Sequence, residues 1–191
     1  SIKKVKSRYN INFEKYSISI LHPVTTDLSN IENQAKLYFE TLKNSKKNYV
    51  ITYPNNDIGS NYILNEIKKL KNNSNFSIIP SLRFEFFLTL LKNSSFIIGN
   101  SSCGIIEAPY YGVPTINIGS RQKNRFKSSS LINISFSKSK ITKAINHVDN
   151  KKLLKLNFFG KGNAATKIEK IINSKKFWDI KLQKGFIDLV K

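Results

Sequence analysis

The sequence has a single cysteine, no methionine and few acidic residues, with 12 Asp and Glu against 32 Lys and Arg in 191 residues. One cysteine, Cys103, excludes a disulfide bond within the chain. Because this fits a reducing compartment, we expect a cytoplasmic protein. Since the chain begins at Ser1 and contains no methionine, we expect a processed product or a fragment of a longer protein.

Long apolar runs are also missing. No run reaches the roughly 18 residues that a membrane-spanning helix needs, and no signal peptide opens the chain, so we expect a soluble protein without a membrane partner. Hydrophobic residues nevertheless make up 40% of the sequence and aromatic residues 12%. This composition can bury a core and excludes a disordered chain, and the length predicts one domain or slightly more.

The net charge of +20 has two interpretations. It can indicate a protein that binds nucleic acid or a membrane surface, or it can follow from a biased base composition. The lysines are scattered in pairs along the chain and form no arginine-rich stripe, so we favour the second interpretation and expect no nucleic-acid partner.

Short apolar runs alternate with helical patterns from residue 16 onward. Strands are predicted at 16–21, 49–53, 76–79, 96–99, 115–118 and 131–134. Helices are predicted at 29–43, 58–70, 83–92, 104–111, 137–147 and 163–173, with Ser29 and Ser137 as caps. This alternation predicts an α/β fold, a Rossmann-like doubly wound parallel sheet. Residues 1–15 are expected to be a connector, residues 16–175 the domain, and residues 176–191 a final helix that contains Trp178.

Ligands of open parallel sheets bind beyond the carboxyl ends of the strands, and each predicted strand is followed there by a polar or turn-rich loop. After the fourth strand come Ser101 and Ser102, ahead of a predicted helix. Serine hydroxyls and free N–H groups at a helix start attract phosphate, although either serine could simply cap the helix. The dinucleotide and Walker glycine motifs are absent.

Other residues at this edge have a functional and a structural interpretation. Glu107 can accept hydrogen bonds from two ribose hydroxyls or lie in solvent, and Arg121 can bind phosphate or be a surface charge. His22 can bind phosphate, carry a proton or make an ordinary hydrogen bond, whereas Asn55 most simply forms a turn. Cys103 is expected to be a small buried filler. Taken together, these loops predict a ligand with phosphate and sugar, such as a nucleotide diphosphate.

Five ordered motifs resemble the hydrolysing UDP-N-acetylglucosamine 2-epimerase family, especially its sialic-acid branch. They are HPVTTD (22–27), YPNNDIGS (53–60), IIGNSSCGIIEA (97–108), GVPTINIGSRQ (112–122) and GKGNAATKI (160–168). The resemblance implies that this chain is the carboxyl-terminal half of a two-domain enzyme of the glycosyltransferase-B-like type. The family usually has an aspartate where this chain has Lys161, which changes a charge near the interface between the two halves.

The resemblance also implies a role for each matching residue. His22, on the leaving-group side, would contact the diphosphate, and so would Ser101, Ser102 and Arg121. The resemblance further implies that Glu107 binds the ribose hydroxyls, that Asn55 lines the nucleotide site and that Leu82 packs against uracil. In this family UDP is eliminated across C1 and C2 to leave 2-acetamidoglucal, and hydration then yields ManNAc.

The carboxylates that transfer protons in this family lie in the amino-terminal half, so we expect this chain alone to be inactive. The expected partners are UDP, UDP-GlcNAc, the amino-terminal domain of the same enzyme and further copies of the chain, without a metal or cofactor. Two alternatives are an epimerase acting on a UDP-diacetamido-bacillosamine and a UDP-sugar-binding domain of the glycosyltransferase type.

Overall fold

The computed structural model describes residues 1–148, 151, 153–179, 182, 183, 185 and 187. The chain divides into two compact units, residues 1–156 and residues 157–191. The first unit holds the sheet and helices on both of its faces, and the second holds two short helices. The domain limits predicted at residues 15 and 175 stay predictions about the complete protein.

The first unit is built on a six-stranded parallel sheet in the order β3-β2-β1-β4-β5-β6. The strands are β1 (Ser17–Ile20), β2 (Tyr49–Thr52), β3 (Phe76–Ile79), β4 (Ile97–Gly99), β5 (Thr115–Ile118) and β6 (Leu131–Ile134). This order starts in the middle of the sheet, runs to one edge and then returns to fill the other half. The predicted doubly wound, Rossmann-like parallel sheet is therefore confirmed.

Helices cover both faces of this sheet. The helices are α1 (Ile2–Arg8), α2 (Ile31–Asn44), α3 (Ser60–Lys68), α4 (Phe84–Lys92), α5 (Glu107–Tyr111) and α6 (Lys138–Val148) in the first unit, and α7 (Ala164–Ile172) and α8 (Lys175–Trp178) in the second. One hydrophobic cluster joins the sheet to α2, α3 and α6, and the other joins it to α1, α4 and α5. The central strands β1, β4 and β5 are buried on both faces, whereas β6 at the edge of the sheet is only partly buried.

Helix α2 illustrates how the sequence pattern produces the packing. Ile31, Ala35, Tyr38 and Leu42 recur at helical spacing and are all buried. The hydroxyl of Tyr38 shares a hydrogen bond of 2.8 Å with the Ser19 hydroxyl and donates to a β4 carbonyl at 3.1 Å. The polar end of this large core side chain is therefore satisfied inside the core.

Several predicted element ends are wrong. Ser29 does not cap α2, because it lies within a 3₁₀ turn (Leu28–Asn30) that precedes the helix. Within the predicted helix 104–111 only α5 is α-helical, because a 3₁₀ turn (Ser102–Gly104) precedes it.

The structure describes every residue at the amino-terminal end of the chain and only some of the residues after 179. Residues 2–8 form α1, and Val5 and Ile11 are buried in the cluster that contains α4. Half of the residues in the helix predicted at 176–191 lie outside the described residues; of the described half, only 176–178 are helical, as part of α8. Among the helices of the described part of the chain, none has the length and apolar character required to cross a membrane.

Candidate functional site

The candidate site lies where the strand order reverses, at the carboxyl ends of the neighbouring strands β1 and β4. Gly99 ends β4 with a φ of +135°, and a Cβ added there would lie 1.8 Å from the carbonyl oxygen of Ile20 in β1. Only glycine permits such a close approach with this backbone conformation. The two strand ends are therefore pressed together, and the residues that follow them emerge side by side.

Asn100, which follows Gly99, joins the ends of these two strands. Its side-chain oxygen accepts a hydrogen bond from the backbone N–H of His22 at 2.7 Å, and its amide nitrogen donates to the His22 carbonyl at 2.8 Å. Only 1% of Asn100 is exposed. This pair of bonds fixes the backbone of His22, and with it the position of the imidazole.

The loop after β5 reaches the same point through the backbone carbonyl of Asn100. Arg121 donates to this oxygen from Nη1 at 3.3 Å, and Gln122 donates from Nε2 at 3.1 Å. The Oε1 atom of Gln122 in turn accepts a hydrogen bond from Arg125 at 2.9 Å. A guanidinium is thus held beside the ends of β1 and β4, where it can meet an anion.

His22 is an uncharged hydrogen-bond donor in this arrangement. Its Nδ1 atom accepts the backbone N–H of Asn55 at 3.0 Å, which leaves the ring proton on Nε2. Burial, together with the neighbouring Arg121 guanidinium, lowers the pKa of His22 to about 4, although the Asp57 carboxylate acts in the opposite direction. At neutral pH the imidazole therefore presents an Nε2–H group rather than a positive charge.

Two predicted site residues carry buried oxygens that lack a partner among the described residues. They are Oδ1 of Asn55, whose amide nitrogen donates to Asp57, and Oε2 of Glu107. Burial also raises the pKa of the Glu107 carboxyl. Buried polar atoms normally have hydrogen-bond partners, so these two unpaired oxygens are available to the donor groups of a ligand.

The serines between β4 and α5 do not act as ordinary helix caps. Ser101 lies at the cap position of the 3₁₀ turn without making a side-chain capping bond, and its hydroxyl accepts a hydrogen bond from the Cys103 thiol at 3.1 Å. Ser102 begins that turn. Burial raises the pKa of the Cys103 thiol to about 11, in keeping with a packing role rather than a reactive one.

Leu82 and Glu107 lie at the starts of two neighbouring helices on one face of the sheet. Leu82 precedes α4, is half-buried and packs against the cluster that contains this helix. Glu107 is the first residue of α5, and α5 packs on α4. Both helices follow strands of the sheet, so they start at its carboxyl edge, where the candidate site lies.

The structure thus links three of the seven predicted residues directly. His22, Asn55 and Arg121 are connected through hydrogen bonds that all involve His22 or Asn100. Ser101 and Ser102 follow Asn100 in the chain, whereas Leu82 and Glu107 reach the edge from α4 and α5. Sequence analysis did not place Asn100 in the site, although an asparagine directly after a strand-ending glycine was a signal that could have found it.

The model of the UDP-N-acetylglucosamine 2-epimerase family matches residues 1–173. The chain belongs to this family. UDP-N-acetylglucosamine 2-epimerase of Neisseria meningitidis serogroup B is 41% identical over 193 residues, covering 99% of this chain and 51% of that protein. Polysialic acid biosynthesis protein P7 of Escherichia coli is 29% identical, covering 93% of this chain and 50% of that protein.

A solved structure that resembles this chain is also a UDP-GlcNAc 2-epimerase. Methanocaldococcus jannaschii UDP-GlcNAc 2-epimerase, crystallised with UDP-GlcNAc and UDP, matches with a TM-score of 0.69 at 26% identity. The match covers 89% of this chain and 48% of that one. The chain therefore spans about half the length of the curated relatives and solved structures that it matches, and it has the fold of one half of these glycosyltransferase-B-like enzymes.

Proposed function

We propose that this chain is the UDP-binding half of a hydrolysing UDP-N-acetylglucosamine 2-epimerase. The complete enzyme converts UDP-GlcNAc and water to ManNAc and UDP, by elimination of UDP and hydration of the resulting 2-acetamidoglucal. Membership of the family and a span of about half its relatives support this proposal. The observation that carries it is the unpaired Oε2 atom of Glu107 beside a switch point rich in N–H donors.

The diphosphate lies against the ends of β1, β4 and β5 in this proposal. His22 donates from Nε2, Ser101 and Ser102 donate from their hydroxyls, and Arg121 supplies the positive charge. As the bond from C1 to the UDP oxygen breaks, negative charge grows on the departing diphosphate. Donors that are already held in place stabilise this charge without reorganising, which is how the leaving-group half of the site lowers the barrier.

The uridine lies toward α4 and α5. The Glu107 carboxylate accepts hydrogen bonds from the two ribose hydroxyls, and a vicinal diol matches its pair of oxygens. Asn55 offers its unpaired Oδ1 to the nucleotide. Leu82 provides an apolar contact for the face of uracil, since a half-buried leucine can cover a base without demanding a hydrogen bond.

The missing parts of the active site belong to the other half of the enzyme. An amino-terminal domain supplies the carboxylates for proton transfer in this proposal, so the chain alone binds UDP but does not turn over UDP-GlcNAc. Assembly into a homo-oligomer and a cytoplasmic location stay predictions from the sequence. Neither a metal nor a cofactor is part of the proposed reaction.

Calorimetric titration of the chain with UDP tests the proposal. Saturable binding is expected, and Ser102→Ala or Glu107→Ala should weaken it by about tenfold or more, as expected for losing a hydrogen bond that involves a charged partner. Titration with 2′-deoxy-UDP is the matched control. The wild-type chain should prefer UDP over this analogue, and Glu107→Ala should remove most of that preference.

No saturable UDP binding at millimolar concentration would overturn the nucleotide site itself. Product analysis with the complete enzyme separates the remaining alternatives. Release of ManNAc from UDP-GlcNAc supports the epimerase. Hydrolysis only of UDP-diacetamido-bacillosamine would reassign the substrate, and an acceptor-dependent product without free ManNAc would indicate a glycosyltransferase.

A further inference from the structure

A cavity of about 800 Å³ lies beyond the carboxyl ends of β1, β5 and β6. This volume is in the range of pockets that hold small molecules. Its lining includes Gln34 from α2, Lys123 from the loop after β5 and Phe136 after β6. None of its lining residues is a predicted UDP-site residue, although its Ser120 precedes Arg121 in the chain. Val24, Asp27, Gly119 and Ser120 belong to the motifs at 22–27 and 112–122, so the cavity lies directly beside the proposed UDP site.

One wall of the cavity presents a hydrogen-bond acceptor in a fixed orientation. The Asp27 carboxylate accepts a hydrogen bond from Asn30 at 2.6 Å and another from Nε2 of Gln34 at 2.7 Å. The second bond sets the rotamer of the Gln34 amide. Its Oε1 atom is buried and has no partner among the residues that the structure describes. A hydroxyl or amide N–H of a ligand would satisfy this oxygen.

Other lining residues supply positive charge. Lys123, Lys127 and Lys140 line the cavity, and only Asp27 among its lining residues carries negative charge. Lys140 donates to the Ser135 hydroxyl at 3.1 Å, whereas the exposed side chains of Lys123 and Lys127 can turn toward a ligand. Since ammonium groups bind phosphate and carboxylate without strict geometry, this side of the cavity selects for an anion.

Half-buried aromatic side chains complete the lining. Phe126 and Phe136 both face the cavity. Phe136 also supports the loop after β5, because a Cβ added to Gly119 would lie 2.8 Å from its ring. An aromatic ring offers an apolar surface on which the less polar face of a sugar ring can lie.

We propose that this cavity is a second ligand site, which binds a small sugar carrying a phosphate or a carboxylate. The acid group meets Lys123 and Lys127, a hydroxyl donates to Oε1 of Gln34, and the sugar ring lies against Phe136. The proposal does not require UDP to bind, because none of the seven predicted UDP-binding residues lines the cavity.

Calorimetry of the chain, both with and without UDP, tests this proposal, with glucose 6-phosphate and glucuronate as probes for the two acid groups. Glucose serves as the uncharged control. At least one acid should bind saturably, and glucose should not. The double variant Lys123→Gln/Lys127→Gln and the single variant Gln34→Leu should each weaken binding about tenfold or more. Lys143→Gln, an exposed substitution on α6 outside the cavity, should leave the affinity unchanged.

Three results would overturn the proposal. The first is that neither acid saturates the chain at about 10 mM, where even a weak site would be detected. The second is that the Lys123→Gln/Lys127→Gln variant binds as tightly as the wild-type chain. The third is that an acid binds only when UDP is absent, because the acid would then occupy the UDP site.

Discussion

Replacing Asn100 with alanine tests whether this residue positions the site. The substitution removes both hydrogen bonds to the backbone of His22, at 2.7 and 2.8 Å, in a place where Asn100 is only 1% exposed. Each buried group left unpaired costs about 1–3 kcal/mol. Two such groups are left unpaired, so the free energy of unfolding should fall by about 2–6 kcal/mol.

The same change should weaken UDP binding by the folded protein. Without its side-chain clamp, the end of β1 no longer holds the Nε2–H of His22 in place. The carbonyl of residue 100, which Arg121 contacts, is also less well fixed. A preorganised donor loses much of its value when it must be ordered on binding, so we expect UDP affinity to fall about tenfold or more.

Urea unfolding followed by circular dichroism measures the stability, and calorimetry at low temperature measures UDP binding by the folded fraction. Asn117→Ala is the matched control, since Asn117 is also 1% exposed and loses a single bond of 2.7 Å to Asn133. The control should be destabilised and should bind UDP normally. If folded Asn100→Ala also bound UDP with wild-type affinity, Asn100 would be structural only and the positioning argument would be wrong.

Three further predictions follow from the same part of the structure. The pKa of His22 is lowered in the folded state to about 4. The folded protein should therefore lose at most about 3 kcal/mol of stability as pH falls from about 6.5 toward 4. The urea midpoint should fall less steeply over this pH range for His22→Gln than for the wild-type chain. Gly99→Ala should cost at least about 3 kcal/mol, because its methyl group would collide with the Ile20 carbonyl; an unchanged urea midpoint would contradict the close approach of the two strands. Cys103, whose thiol pKa is raised by burial to about 11, should react slowly with a thiol reagent at pH 8 and rapidly in urea; rapid labelling of the folded chain would show that the thiol is accessible and ionised.

The sheet was predictable from sequence because each strand lies in a short run that contains isoleucine and is bounded by polar or turn residues. The predicted limits of β3, β5 and β6 match the structure residue for residue. Helix starts were less predictable, as Ser29 shows. A serine ahead of an apolar pattern caps a helix only if its side chain reaches a free N–H group, and here a 3₁₀ turn intervenes.

The candidate site was predictable as a set of loops but not as a network. The rule that strand ends meet at one edge placed His22, Asn55 and Arg121 together. It did not show that Asn100 would connect them, or that His22 would be uncharged. Both facts depend on burial and on hydrogen bonds between residues far apart in the sequence. For the same reason, the cavity beside Gln34 could not have been foreseen, because its lining comes from separate loops.

Nitrogen NMR of the histidine side chains during a UDP titration tests the central claim most directly. The chain has two histidines, so His147, which is exposed and hydrogen-bonded to Lys151, provides an internal control for His22. We predict that His22 is neutral with its proton on Nε2, that its signals shift saturably with UDP and that its pKa rises in the complex, while His147 is unaffected. UDP binding that saturates by calorimetry without moving the His22 signals would contradict the account.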